Sequence, residues 1–406
     1  MNIFREIPPT AGFNVTLGDV LSLFIPSSKR GELKEDFKNY IKADYAEITY
    51  SGTAALYFIL EALKELSSRK TVVIPSFICP LVPLAIRRAG LKVEVCDITK
   101  RSFDFDIPEL IRICRYNNDI LAVIPVHLAG IPADLDRILN ITLDNNIFVI
   151  EDCAQSLGAD YHGKKTGSIA DLAFFSLCRG KGLTIYEGGC LVSNKKEYVP
   201  LLKNKIKQLV KNDHLSEGLK ILELMGYALF YRPELFWFVF SLPQVYWSLR
   251  GNPLKARSED YGPDFGTYRV SDLRQRIACH AFSRIEDEIG RQREKAAYYI
   301  RELDELKDIR IISEPGETRS NYPYLVIVFD DPKKCDRARM NFSGSGLGVS
   351  WVYDRAVTGY DYLKDFLPAK ACPNAGYISR NSITLSTNSF LKEKDMSLIV
   401  NIIKDL

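Results

Sequence analysis

Hydrophobic positions along this chain follow two rhythms. From Ser51 to Leu66 the apolar residues Ala55, Leu56, Ile59, Leu60 and Leu63 recur at helical spacing, and Ser51-Gly52-Thr53 supplies capping side chains, so a helix with an open N-terminus is predicted. Short β-rich runs follow at Thr71–Pro75, Lys92–Cys96, Leu121–Pro125, Ile147–Ile150, Leu172–Ser176 and Cys190–Ser193. Most are separated by stretches long enough for a helix. The pattern predicts α/β layers around a largely parallel sheet.

The rhythm changes near Lys203. Residues Leu219 to Leu249 carry Phe230, Phe236, Trp237, Phe238, Phe240, Tyr246 and Trp247, but Glu223, Arg232, Pro233, Glu234 and Pro243 interrupt every apolar stretch well short of a bilayer span. Two readings stand for this insertion, about 203–255: helices packed on the body or on a dimer partner, or an interfacial surface touching a membrane or a lipid-linked substrate through 219–249. Beyond it, Val270 to Leu306 is charged and helix-rich, Ile309–Ile312, Tyr324–Phe329 and Ser382–Leu385 read as strands, and Leu391–Leu406 reads as a closing helix. These define a smaller C-terminal α+β domain, 256–406, after a large N-terminal domain, 1–255, with the polar stretch Arg257–Asp264 joining the two.

Composition narrows the function. With 406 residues, 46% of them hydrophobic, the chain can bury one large core and a smaller one. A formal net charge of +3 with scattered basic residues signals no nucleic acid and points to small-molecule work. Nine cysteines stand singly, with no Cys-x-x-Cys pair and no histidine at metal-ligand spacing, so neither a disulfide framework nor a metal site is expected. The first residues hold no apolar core of signal-peptide length, and a cytoplasmic protein is expected.

Three features carry chemistry. Lys181 lies between Gly180 and Gly182 just beyond the Leu172–Ser176 run, where glycines let backbone and ligand approach closely. Asp152 follows Ile147–Ile150, at the carboxyl end of a predicted central strand, where ligands collect in open α/β sheets. Gly52 and Thr53 open a helix whose free amides can hold a phosphate, with Ser176 near. Pyridoxal phosphate needs this set: an anion seat, an acid facing the pyridine nitrogen, and a lysine for covalent attachment. The competing nucleotide-phosphate loop fails on spacing, because Phe175 stands where its upstream glycine belongs and Gly182 where Ser or Thr should follow the lysine.

The run Glu151-Asp152-Cys153-Ala154-Gln155-Ser156-Leu157-Gly158-Ala159, with Ser176, Lys181 and Glu187-Gly188-Gly189 ahead of it, resembles the fold-type I, pyridoxal-phosphate-dependent sugar aminotransferases of the DegT/DnrJ/StrS type. Gly52-Thr53-Ala54-Ala55-Leu56 and Val126-His127-Leu128-Ala129-Gly130 add to the likeness. The resemblance implies that Lys181 bonds the cofactor and moves the proton between cofactor and substrate carbons. It implies Asp152 at the pyridinium nitrogen, Gln155 near the phenolic oxygen, and Ser176 with the amides of Gly52 and Thr53 at the phosphate. His127 and Glu187 are weaker candidates near cofactor and substrate, each with a structural alternative.

Three positions depart from the family pattern. Cys79 faces the cofactor where a stacking aromatic is usual, Thr267 stands where a partner-subunit asparagine usually reaches the phosphate, and Asn388, a substrate-side candidate, ends Leu385-Ser386-Thr387-Asn388 where Leu-Pro-x-His is common. The implied reaction transfers an amino group from glutamate to a nucleotide-linked keto-sugar in polysaccharide or glycoconjugate biosynthesis, on a homodimer. The alternatives are sugar dehydration, whose enzymes carry histidine in place of the lysine, and a non-catalytic regulator or scaffold on the same fold.

Overall fold

The computed structural model describes residues 5–24, 32–252, 261–262 and 264–406. Thirteen strands are found among them: β1 (Tyr45–Thr49), β2 (Thr71–Pro75), β3 (Lys92–Cys96), β4 (Ile120–Val123), β5 (Phe148–Asp152), β6 (Asp160–Tyr161), β7 (Lys164–Lys165), β8 (Leu172–Ser176), β9 (Gly189–Ser193), β10 (Ile309–Ile312), β11 (Thr318–Arg319), β12 (Tyr324–Phe329) and β13 (Ser382–Ser386). Seven form one sheet in the order β1-β9-β8-β5-β4-β2-β3. Only β9 runs against its neighbours; β8, β5, β4, β2 and β3 pair in parallel.

The strands β2, β4 and β9 are buried at every position, as expected of a sheet covered on both faces. Helix Gly52–Leu66 buries Ala55, Leu56, Ile59, Leu60 and Leu63 in the layer over one face. Phe37, Phe175, Ile277 and Ala278 belong to the core on the other. The structure adds β1, which sequence reading passed over, and carries β5 two residues further, so that Asp152 is itself the last residue of a strand.

A second, antiparallel sheet, β10-β12-β13, packs with helices Ile285–Leu303, Pro332–Phe342 and Glu393–Lys404 around Leu325, Ile327, Tyr299 and Ile399. The boundary expected at 255/256 and most of the Arg257–Asp264 connector lie outside the described residues. Helix Asp272–Phe282, just after them, buries Ile277 and Ala281 with the large sheet, whereas Ala296 and Tyr299 of the next helix join the small one.

The N-terminal segment straps these parts together. Glu6 N–H donates to Pro233 O at 2.8 Å, Ile7 N–H to Gly346 O at 2.9 Å, Ala11 N–H to Pro323 O at 2.7 Å and Phe13 N–H to Lys181 O at 2.8 Å. Arg5 closes the strap with a salt bridge of 2.8 Å to Asp395. Among the described residues the insertion holds the end of helix Val199–Leu209 and then helices His214–Phe230, Pro233–Val239 and Ser241–Leu249. No helix among the described residues is long and apolar enough to cross a membrane.

Candidate active site

An anion seat forms where helix Gly52–Leu66 meets β8 and β9. Ser51 caps the helix, its Oγ accepting the Ala54 N–H at 3.0 Å and its carbonyl the Ala55 N–H at 3.0 Å. The N–H groups of Gly52 and Thr53 are then the first-turn donors left at the positive end of the helix. A Cβ on Gly52 would stand 3.2 Å from the Phe175 carbonyl oxygen and 3.3 Å from Ser176 Cβ. On Gly189 it would stand 2.4 Å from Gly52 N. Glycine at both places lets two strands and a helix start converge.

Asp152 ends β5 with only 4% of its surface exposed, its Oδ1 accepting the Ala154 N–H at 3.0 Å. Burial lifts its carboxyl to about 6, against the pull of the Ala154 N–H and of the Lys181 charge. Lys181, half-buried, sits in the tight turn after β8, its N–H donating to Cys178 O at 3.2 Å, with Gly180 before it in the left-handed region at φ 77°. The Lys181 ammonium acts on Asp152 and also on Cys79, whose thiol burial pushes up to about 11. Amine, acid and a neutral thiol therefore share one pocket.

Gln155 holds its Oε1 against the Ala129 N–H at 3.0 Å and the Tyr324 hydroxyl at 2.6 Å, which turns its NH2 end into the donor available to a ligand oxygen. Tyr324 comes from β12 of the small sheet and was not foreseen. Nor was Tyr353, whose ring packs edge-on against Phe77 at 5.3 Å and whose hydroxyl is driven far up by burial, with Cys79, Tyr324 and Asp152 adding to the effect. An aromatic residue thus stands near the position where Cys79 lacks one. Thr267 is buried, its Oγ1 donating to Leu209 O at 3.0 Å.

Three substrate-side candidates are committed elsewhere. His127 is fully buried: Nδ1 accepts the Ala133 N–H at 3.0 Å, so Nε2 carries the hydrogen and donates to Glu151 at 3.0 Å. Glu151 in turn accepts the N–H groups of Gly167, Ile169 and Ala170 at 2.7 to 2.9 Å. His127, Glu151 and Cys153 bring their ligand atoms within 4.8 Å of one another, but these hydrogen bonds already occupy the histidine and the carboxylate. Asn388, also fully buried, donates from Nδ2 to Thr10 O and to the Tyr231 hydroxyl, both at 2.9 Å, and accepts the Phe390 N–H at 3.0 Å. The side-chain hydrogen bonds of His127 and Asn388 are thus made to the protein framework. Glu187 pairs with Lys220 at 2.7 Å, part-exposed at the edge of the Lys181 loop.

Behind that loop lies a clamp no local signal announced. Arg274, fully buried, reaches Glu217 through Nε at 2.7 Å, and its Nη1 donates to the carbonyls of Ile185, at 3.2 Å, and Glu187. One paired guanidinium fixes the chain leaving Lys181.

A sheet of this order, with an acid ending β5 and a lysine in the turn after β8, defines the class: a fold-type I enzyme that uses pyridoxal phosphate. A family model described as the DegT/DnrJ/EryC1/StrS aminotransferase family matches residues 23–217 and 249–404, and the chain belongs to that family. It is 25% identical over 381 residues to the UDP-4-amino-4,6-dideoxy-N-acetyl-beta-L-altrosamine transaminase of Campylobacter jejuni subsp. jejuni serotype O:23/36, covering 91% of this chain and 88% of that one. Its fold is similar to that of PseC, an aminotransferase of Helicobacter pylori involved in pseudoaminic acid biosynthesis, with a TM-score of 0.76, 15% identity and 99% of each chain covered. The pyridoxal-phosphate form of a putative sugar aminotransferase of Streptococcus pneumoniae, Spr1654, matches with a TM-score of 0.73, 18% identity and 98% of each chain covered. The chain is a pyridoxal-phosphate-dependent aminotransferase.

Proposed function

We propose that this enzyme moves an amino group from glutamate onto a keto-sugar carried by a nucleotide, with Lys181 as the working amine. The observation that carries the reading is the convergence of Lys181, Asp152 and the Gly52–Ser176 seat at neighbouring strand ends. The residues fit the cofactor. A seat that a Cβ at Gly52 would fill suits a phosphate held by backbone N–H groups and the Ser176 hydroxyl. A buried acid still lifted to about 6 has room for a closer cation, and a protonated ring nitrogen is one. When bound, pyridoxal phosphate supplies an electron sink for the charge left on a substrate carbon as its proton departs.

The protein's own groups do the rest. Asp152, ionised beside a cation, keeps its proton on the partner nitrogen. Gln155, oriented by Ala129 and Tyr324, presents its NH2 to the phenolic oxygen. Lys181, with its amine free, would carry the proton between the substrate carbon and the cofactor carbon beside it. Arg179, exposed two residues before it, offers a guanidinium fork suited to the donor's carboxylate.

The Campylobacter relative, a transaminase named for a UDP-linked amino sugar, supports a nucleotide-linked acceptor. Nine cysteines, none of them in a disulfide, accord with a reducing cytoplasm. An exposed seam of Leu215, Leu219, Leu222 and Leu229 on helix His214–Phe230, spaced by three, four and seven residues, supports a homodimer. The test is spectroscopic. Purified enzyme carrying pyridoxal phosphate should show the band of lysine-bound cofactor, lose it with glutamate and regain it with a nucleotide-linked keto-sugar. Lys181→Ala should bind the cofactor without that band and lose turnover; a variant that kept full turnover would overturn the assignment.

A further inference from the structure

We infer that the pair of short helices Pro233–Val239 and Ser241–Leu249 seats this enzyme on an anionic membrane surface. All of the pair but Leu249 lies in the stretch, 218–248, that the family model leaves unmatched. Its root is fixed to the body: Phe236 is buried and stacks on Phe240 with ring centroids 4.9 Å apart, and Ser241 donates to Glu6 at 2.7 Å. Helix Ser241–Leu249 has no buried residue at all, and Phe238, Val239, Leu242, Val245, Tyr246 and Leu249 are exposed, Leu249 by 84%. Six large apolar side chains exposed by 43% or more within twelve residues form a patch that favours a cover.

Charge decides between covers. From Arg232 to Arg250 the only acid is Glu234, and both flanking arginines are exposed. A second copy docking this patch on itself would bring four arginines together against two glutamates. Anionic headgroups would instead pair with Arg232 and Arg250 while the apolar side enters the boundary below them. The aromatic content fits the same layer. Tyr246, with Trp237 and Trp247 half-exposed, offers rings that are apolar at one end and hydrogen-bonding at the other, and the Arg250 guanidinium lies 5.2 Å over the Tyr246 ring. Helices of seven and nine residues rise only about 10 to 14 Å, too little to span a bilayer of about 30 Å, so the contact is peripheral.

The surface also leads to the chemistry. A groove of about 1880 Å³ has Trp237, Phe240 and Trp247 on its wall and reaches Arg179 and Gly180, the residues just before Lys181. A bilayer under the helix pair therefore lies at the outer end of a path to the working amine. This inference concerns where the enzyme sits and holds whichever amino acceptor it uses.

The experiment uses the full chain loaded with cofactor. The chain has three tryptophans, at 237, 247 and 351, so Trp351→Phe leaves both emitters in the helix pair. Vesicles of phosphatidylcholine with one third phosphatidylglycerol should shift that emission to the blue and float the protein, and brominated acyl chains should quench it. Replacing Phe238, Leu242, Tyr246 and Leu249 together by serine should lower the partition coefficient at least about ten-fold with cofactor absorbance and circular dichroism unchanged. Arg232→Glu with Arg250→Glu, which leaves the apolar side intact, should lose the preference for anionic vesicles and the sensitivity of binding to salt. Wild-type protein that ignores anionic vesicles would overturn the inference. So would a serine variant that binds vesicles normally but falls to a smaller oligomer, which would give this surface to a second copy.

Discussion

Asp152→Asn should make the cofactor-free protein more stable at mildly alkaline pH while crippling it as an enzyme. The carboxyl is lifted from 3.8 to about 6 because burial disfavours its charge. At about 1.4 kcal/mol per unit, holding it ionised costs the fold about 3 kcal/mol above that pH. The sign follows from proton counting. Between about pH 4 and pH 6 the folded state binds the proton that the unfolded chain has released, so this group's contribution falls as pH rises through 6 and is restored as pH drops toward 4. Asparagine keeps the acceptor for the Ala154 N–H but buries an NH2 with no assured partner, a cost of about 1 to 2 kcal/mol.

The two curves must therefore cross. Urea unfolding of stripped wild type and variant should find the variant ahead by about 1 to 2 kcal/mol near pH 8 and behind by about as much near pH 4, crossing at about pH 5, between the ordinary and the lifted pKa. With pyridoxal phosphate bound, the wild-type carboxylate has its cation and the advantage should pass back to it. A stability difference independent of pH in the stripped proteins would refute the reasoning, since the penalty would then not lie in the charge.

Two other substitutions probe the framework. Gly189→Ala would put a Cβ 2.4 Å from backbone atoms of Ser51 and Gly52, so β9 and the helix start must part by about 1 Å; a loss of about 1 to 3 kcal/mol in urea and several-fold weaker cofactor binding are expected, and unchanged binding by titration would sink the close-approach argument. Asn388→Ala removes both hydrogen bonds that tie the Thr10 carbonyl and the Tyr231 hydroxyl to β13's end, and should cost about 2 to 4 kcal/mol while leaving the acceptor KM alone; a raised KM with normal stability would return this residue to the substrate.

The parallel strands and the pocket's principal residues were legible because each depends on local features. A run such as Leu172–Ser176 is apolar at successive positions because both its faces are covered, and Lys181 follows its end within one turn. The reversal of β9 was not legible, since direction in a sheet is decided by the connection and by the neighbour β1, which lies about 140 residues earlier in the chain. Tyr324 on Gln155 and Arg274 on the Ile185–Glu187 carbonyls join residues 169 and 87 to 89 positions apart, and neither tyrosine nor arginine advertises such a partner in sequence. His127 and Asn388 carry a related ambiguity. A polar side chain near a strand end satisfies a buried backbone as readily as it binds a ligand, and only the count of its hydrogen bonds separates the two.

The strap formed by residues 5 to 13 makes the start of this chain a working part of the machine. Four main-chain bonds from it end on the insertion, on two segments of the small-sheet unit, and on Lys181 itself. Trimming the first dozen residues to aid crystallisation or expression, a routine step with N-termini that look dispensable, would loosen the Lys181 turn and the helix pair of the insertion in a single cut. Affinity tags and fusion partners for this enzyme therefore belong at the other terminus.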